Sequence, residues 1–412
     1  MSTVIQQDPG TRSNRRKSLR RRRVARRGFV FVLIAALIAG GAFFVARKAT
    51  HKGKPATGSA VENQHTVLVV MTSHDDPSGR AAALTVFGVD TNGKNPVVMF
   101  IPVGTLAPIP GAKDIDLIGN AMSVGQPALE GITVENLLGI DLDRTVAFDD
   151  VSLGVFIDQL GGIDVNVQEN LYITQSDGTK TLEFQHGNRH MNGAAAITYL
   201  TYKSPDTTEL DSFVRAQKVW EGIFAAAADS TKLSTAMASF GTDTLAADDA
   251  SWLSGIWSAF AARSSNDRTY DVLPGQEIGG GGVNVSYQVD NTALATLVNN
   301  DFAGSVPYGV NVGARSRIQL LNGNGSPEIG QRAAALLVPA GLRVEFTGNA
   351  DNFNYRSTKI VIYGDDAVSL ALGQEIRNLL GVGTVETGTR SQTVADVTVV
   401  LGKDFLDKVR RS

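Results

Sequence analysis

His186 and His190 stand four residues apart in a Gly-Asn loop context, a spacing at which two imidazoles can share a zinc ion. Gly187, Asn188 and Arg189 lie between them, with no acid to act as a base, so the pair makes no metalloprotease signature. Asp75 and Asp76 follow the first apolar run. Two carboxylates at the carboxyl end of a strand can hold a cation, where the ligands of α/β sheets collect, and they can equally be solvated loop charges. Asn322-Gly323-Asn324-Gly325 sits between an apolar run and an alanine-rich helical pattern. It lacks the third glycine of a dinucleotide fingerprint and the Lys-Ser/Thr of a phosphate loop, and reads as a tight strand-to-helix turn. The chain has no cysteine and no Gly-x-Ser-x-Gly elbow, which removes thiolate zinc sites, cysteine nucleophiles and the α/β-hydrolase nucleophile. No metal site follows from spacing alone.

These residues sit in a chain of 412 that is 43% hydrophobic and 19% charged, enough for roughly two to three domains with real cores. Ten Lys and Arg against Asp8 give residues 1–27 a net charge of +9, leaving −12 for everything after Arg27 in a chain of net −3. An acidic body argues against nucleic-acid binding by the folded part, which needs cations against phosphates. Residues 28–46 follow the basic head at once, a stretch without a charge and rich in Phe, Val, Leu, Ile and Ala. Nineteen residues at about 1.5 Å each span a bilayer core of about 30 Å. The cations in front place the N-terminus in the cytoplasm, with lipid phosphates as their nearest partner. A cleaved signal peptide is the alternative, but Arg47 and Lys48 follow and no small-x-small site intervenes. The expectation is a single-pass cell-membrane protein with the bulk of the chain outside the cytoplasm.

Residues 47–65 are small and polar and read as a linker. Residues 66–71 are a continuous apolar run, typical of a strand buried on both faces, and 81–89 and 96–101 are further strands. Residues 133–139 predict a helix closed by Gly139, 152–160 another closed by Gly161 and Gly162, and 163–167 alternate as a strand. Helical spacing returns over 193–199 and 211–228. Strands alternating with helices predict an α/β domain with helices on the faces of the sheet.

The wording of these elements is specific. Residues 133–140, the segment Asp158-Gln159-Leu160-Gly161-Gly162-Ile163-Asp164-Val165, residues 191–199 and Val214-Arg215-Ala216-Gln217 resemble the LytR-CpsA-Psr (LCP) family of bacterial envelope proteins. Order and spacing match over residues 66–228, with a looser tail to Phe302. Independently, the strand and turn ending at Gly325, a helix over 329–338, strands over 343–347 and 359–363, a helix near 367–380 and the run 397–404 resemble the LytR C-terminal domain. The expected fold is therefore α/β throughout. A membrane-anchored, LCP-like mixed sheet flanked by helices (66–302) is followed by a linker (303–316), a small C-terminal α/β domain (317–405) and a tail (406–412). The glycines at 279–282 read as a loop inside the first domain.

The LCP resemblance implies cell-wall biogenesis: a phosphate-linked glycopolymer moves from a polyprenyl-pyrophosphate carrier onto peptidoglycan at the outer face of the membrane. Family members surround the pyrophosphate with Arg-Ser-Asp-Thr, Ile-Pro-Arg-Asp, Tyr-x-Arg-x-Arg and Asp-x-x-Arg-x-x-Arg-Gln segments. This chain has Arg80-Ala81-Ala82-Ala83, Ile101-Pro102-Val103-Gly104 and Tyr199-Leu200-Thr201-Tyr202-Lys203 in the first three places. On the last helix Ser212 replaces the first arginine, Arg215 matches the second, Gln217 lies beside the family glutamine, and Glu209 takes the place of the acid with Asp211 nearby. The resemblance thus makes Arg80, Lys203 and Arg215 the phosphate-binding cations, with Glu209 and Gln217 beside them. No catalytic residue is assigned. The expected function is that of a catalytically degenerate LCP protein, a pseudoenzyme that binds lipid-linked glycopolymer or wall polymer as an accessory. The alternative is an active glycopolymer phosphotransferase. Magnesium enters as a cofactor only under that alternative, because Ala82 and Gly104 remove the carboxylates that would hold it. The implied partners are the cytoplasmic membrane and a polyprenyl-pyrophosphate lipid or cell-wall polymer, and no nucleic acid.

Overall fold

The computed structural model describes residues 63–112, 115–175, 177–203, 209–279, 285–388 and 394–411. The basic head, the apolar stretch 28–46 and nearly all of the linker lie outside them. No described helix is long and apolar enough to cross a membrane. Val61–Arg411 form one compact unit.

The first part of the chain runs β1 (Gln64–Thr72), β2 (Ala81–Asp90), β3 (Val97–Ile101), the short pair β4 (Leu106–Pro108) and β5 (Ile115–Leu117), then α1 (Asn120–Leu138), β6 (Arg144–Asp149) and α2 (Asp150–Gln159). β7 (Ile163–Val167), β8 (Leu171–Thr174), β9 (Lys180–Phe184) and β10 (Gly187–Met191) follow, with α3 (Gly193–Thr201), α4 (Glu209–Ala226), α5 (Ser230–Ala238), the single turn α6 (Gly241–Thr244) and α7 (Ala247–Ala261). β11 (Thr269–Val272), β12 (Gly275–Ile278), β13 (Ser286–Val289) and α8 (Asn291–Asp301) complete it.

β1 explains the central sheet. It pairs antiparallel with β2 and parallel with β6, while β3 lies antiparallel to β2 and parallel to β11, giving the order β11-β3-β2-β1-β6. Side chains on a strand alternate faces. Val67, Val69 and Met71 join Phe87, Phe100, Phe148 and Trp220 on one face, and Leu68 and Val70 join Leu84, Met99, Leu138 and Phe302 on the other. Both faces are buried, so the run 66–71 has no polar alternation. The result is a mixed α/β fold with a helix-flanked sheet, as expected.

Several elements differ from the reading of the sequence. α1 begins at Asn120, well before residue 133, because it absorbs a kink at Gly125 and Gln126, one residue ahead of Pro127. It ends at Gly139 in the left-handed conformation, as the glycine predicts. α5 and α7 were not read, although Leu233, Leu253, Ile256, Trp257 and Phe260 form much of the first core. The hairpin β8–β9 was also missed; its mostly exposed residues carry no apolar period. Gly193 is required where α3 meets α2, since a Cβ there would lie 1.9 Å from the Gly154 carbonyl oxygen. The loop expected at 279–282 falls between β12 and β13, and from residue 280 it lies outside the described residues.

The second sheet is built from β14 (Arg317–Asn322), β15 (Arg343–Asn349), β16 (Lys359–Ile362), β17 (Thr384–Thr387) and β18 (Val397–Leu401) in the order β15-β14-β18-β16-β17. Only β16 against β18 is antiparallel. α9 (Ile329–Leu337), α10 (Ala367–Leu380) and α11 (Lys403–Arg411) bury Ala333, Leu337, Ile376, Leu380 and Phe405. Residues 303–316 carry two 3-10 turns, and Arg315 Nη2 donates to the carbonyls of Asn136 (2.7 Å) and Leu137 (3.1 Å) at the end of α1.

Candidate functional site

The carboxyl ends of β1, β3, β6 and β11 and the start of β2 share one edge of the first sheet. Phe213 stacks on Phe100 with ring centroids 5.5 Å apart and brings the start of α4 to the end of β3. Arg80, the 101–104 segment, Ser73 and His74, Asp149 and Asp150, and the head of α4 are thereby placed at this edge.

Most of their polar groups already have partners. Asp150 Oδ2 accepts from Ser73 Oγ at 3.2 Å and Oδ1 from the His74 amide at 2.9 Å. Asp149 caps α2 by accepting from the Ser152 amide at 2.7 Å, and His74 Nδ1 lies 3.4 Å from its other oxygen. Arg80 is exposed, and its Nε donates to Asp76 Oδ2 at 3.0 Å. Hydrogen bonds from Ser78, then from Arg80, hold the Asp76 carboxyl below its ordinary range. Of the acidic pair, Asp76 thus serves the loop and Asp75 is exposed.

Arg215 is buried against tyrosines. Its Nη2 donates to the Tyr202 carbonyl at 2.8 Å, its guanidinium sits 5.4 Å over the Tyr202 ring, and the Tyr202 hydroxyl donates to the Tyr172 carbonyl at 2.7 Å. Burial raises the Tyr199 phenol above its ordinary value, and the nearby charge of Arg215 offsets part of that rise. Arg215, Tyr199 and Tyr202 form one cluster. Lys203 follows it, exposed. Gln217 is held elsewhere, its Nε2 donating to Glu221 Oε1 at 2.8 Å one turn along α4. Glu209 opens α4, but its side chain and that of Asp211 lie outside the described residues.

The two positions that lack the family acids differ in kind. Ala82 is exposed at the start of β2. Gly104 is enclosed: its carbonyl accepts from the Tyr287 amide at 3.0 Å, and a Cβ there would come 2.9 Å from the Val285 carbonyl oxygen. The segment around β13 occupies the space a side chain at 104 would need.

The other motifs found local roles. His190 Nδ1 lies 2.9 Å from Asp164 Oδ1 on the exposed face of the strand pair β7–β10. Asn322 Oδ1 accepts from the amides of Asn324 and Gly325, which makes 322–325 a strand-to-helix turn. Among the described residues no three His, Asp or Glu side chains gather closely enough to hold a metal ion. Sequence reading missed Glu130, a fully buried carboxyl which burial pushes up to about 8, the backbone amide of Met122 offsetting part of that rise. An acid in an apolar helical run, with Glu135 five residues on, was its only signal.

Fold and edge define an α/β protein with a mixed sheet whose strand ends collect cations and carboxylates beneath an aromatic helix. The chain belongs to the LytR_cpsA_psr family, whose sequence model matches residues 44–300. Residues 315–405 match a second model, described as LytR cell envelope-related transcriptional attenuator. Over 156 residues the chain is 27% identical to the probable cell wall biosynthesis protein LcpB of Corynebacterium glutamicum, covering 38% of this chain and 36% of that protein. Over 158 residues it is 28% identical to the polyisoprenyl-teichoic acid–peptidoglycan teichoic acid transferase TagU of Bacillus licheniformis, covering 38% and 50%. The chain thus spans between about a third and a half of the length of these relatives. The crystal structure of Bacillus subtilis TagV superposes with a TM-score of 0.49 at 18% identity, over 60% of this chain and 98% of that one.

Proposed function

We propose that this chain is a membrane-anchored envelope protein that binds a polyprenyl-pyrophosphate-linked glycopolymer or wall polymer and transfers it poorly or not at all. Residues 28–46 are its anchor, residues 1–27 its cytoplasmic tail, and the rest works outside. The family membership and a relative named as a polyisoprenyl-teichoic acid–peptidoglycan transferase support the substrate class. The observation that carries the degenerate reading is Gly104, where the Val285 carbonyl fills the place of an acid side chain.

Among the described side chains, we read the donor set at this edge as a poor fit for a magnesium ion. Ala82 and Gly104 offer no oxygen ligand from a side chain, while Asp76, Asp149 and Asp150 are engaged with Arg80, Ser152, Ser73 and His74. A magnesium ion is usually held by one or two carboxylates together with phosphate oxygens. Binding survives this loss, since Arg215 and Lys203 keep two positive charges beside an aromatic cluster. The transferase reading is supported by the names of several relatives.

The test is the full-length chain in neutral detergent with a polyprenyl-pyrophosphate-linked glycopolymer and peptidoglycan. Donor should bind, with little magnesium-dependent transfer, and Arg215→Ala should weaken binding by roughly 1.5–3 kcal/mol. Robust transfer by the unmodified chain would restore the enzyme. Donor binding unchanged in Arg80→Ala, Lys203→Ala and Arg215→Ala alike would retire the site.

A further inference from the structure

A cavity of about 220 Å³ opens where α8 meets the second sheet, and three guanidiniums line it: Arg315, Arg317 and Arg343. It uses none of Arg80, Lys203 or Arg215. Two of the three arginines have acidic partners. Arg317 Nη2 lies 2.9 Å from Asp396 Oδ1, and Arg343 Nε lies 2.9 Å from Glu345 Oε2, with Arg343 Nη1 also donating to Asn291 Oδ1 at 3.4 Å. Arg315 hydrogen-bonds only to neutral oxygens, the two carbonyls at the end of α1, and its Nε and Nη1 are buried with no hydrogen-bond partner. Three cations against two carboxylates leave one positive charge in a partly dry wall.

That charge is under electrostatic pressure. Burial, then the charge of Arg343, pulls the Arg315 guanidinium down to about 10, and Glu345 relieves only part of this. The carbonyls at a helix end carry only fractional negative charge, well short of a counter-ion. A buried N–H without an acceptor costs free energy, which Arg315 would recover by turning these groups toward an oxygen held in the cavity. Planar guanidiniums lining one space fit a tetrahedral oxyanion, which can present separate oxygens to each.

We infer that this cavity is an anion site for a phosphate group, formed jointly by Asn291 of α8, Arg315 of the 303–316 segment, and Arg317 and Arg343 of the second sheet. The group is either free phosphate or the phosphodiester of a larger molecule.

Thermal unfolding of the full-length chain in neutral detergent tests it, with sodium phosphate, dimethyl phosphate and sodium chloride compared at equal ionic strength. Phosphate should raise the melting temperature beyond chloride, saturably and in the millimolar range. Arg343→Gln, which leaves the contacts of Arg315 to α1 intact, should weaken the effect at least tenfold, as should Arg315→Lys. A matching response to dimethyl phosphate identifies a diester as the ligand, and a response to phosphate alone identifies the free ion. The site is overturned if phosphate acts no differently from chloride, or if Arg343→Gln, folded in chloride, keeps the full response. It is equally overturned if Arg80→Gln abolishes the response instead, which would move the phosphate to the edge of the first sheet.

Discussion

The side-chain amide of Asn136 and the backbone of Val344 bind each other reciprocally: Asn136 Nδ2 donates to the Val344 carbonyl, and the Val344 amide donates to Asn136 Oδ1, both at 2.8 Å. The residue is buried near the end of α1, and Val344 belongs to β15, the edge strand of the second sheet. A primary amide reproduces the donor and acceptor of a neighbouring strand. One side chain thus completes the pairing of an edge residue and fastens the second sheet to the first half of the chain.

Asn136→Ala should destabilise the protein by about 2–4 kcal/mol, since two hydrogen bonds go and a buried backbone amide and carbonyl are left without partners. Asn136→Asp should cost at least as much, because it keeps the acceptor but buries a charge against a carbonyl. Urea unfolding of the full-length chain measures both. A loss below 0.5 kcal/mol for the alanine variant would show that water replaces the amide at no cost.

Glu130 predicts a pH dependence with a definite sign. The folded chain holds its proton up to about 8, whereas the unfolded carboxyl releases it near 4.5. Between those values the unfolded state carries fewer protons than the folded one, so stability falls as pH rises and levels off above 8. The steepest contribution is about 1.4 kcal/mol per pH unit. Glu130→Gln should flatten this slope and be more stable than the parent at pH 8. Unfolding midpoints from pH 5 to 8 that run parallel in the two proteins would sink the idea.

Gly104→Ala should cost roughly 1–3 kcal/mol, because the Val285 carbonyl must move to admit even a methyl group. Ala82→Asp, at an exposed position, should stay within about 0.5 kcal/mol. Equal costs in urea unfolding would mean that position 104 is as open as position 82, removing the main support for a closed site.

The proposed topology makes its own prediction from the charge step at Arg27 and Gly28. A reporter that works only in the cytoplasm should be inactive when fused after Ser412 and active when fused ahead of residue 1. The reverse pattern would invert the anchor.

Much of the framework was readable because burial writes itself into periodicity. The unbroken apolar run of β1 announced a strand covered on both faces, and the alternation of Ile163, Val165 and Val167 gave β7. Gly139 marked the end of α1 through its left-handed conformation. The site was less legible. Arg80 and Arg215 were identified as residues, but the sequence does not show that Asp76 holds one and that the Tyr202 ring and carbonyl hold the other. Those partners are set by loop geometry, which carries no period. The pairing of Asn136 with Val344 joins residues 208 apart and the arginine cavity brings Asn291 to Arg343, 52 residues on, and no local pattern encodes either.

β3 receives its last neighbour from far along the chain, since Thr269–Val272 must be made before β11 can dock parallel to it. Until then Val97, Val98, Met99 and Phe100 lie beside an unfilled backbone edge, the kind of surface that recruits other chains. Pairing across so long a loop is also slow. The nascent protein therefore passes through a vulnerable interval that ends only when β11 arrives, and a chain cut short before Thr269 never leaves it. Aggregation of such fragments is the natural outcome of placing so late the strand that covers the apolar edge of β3.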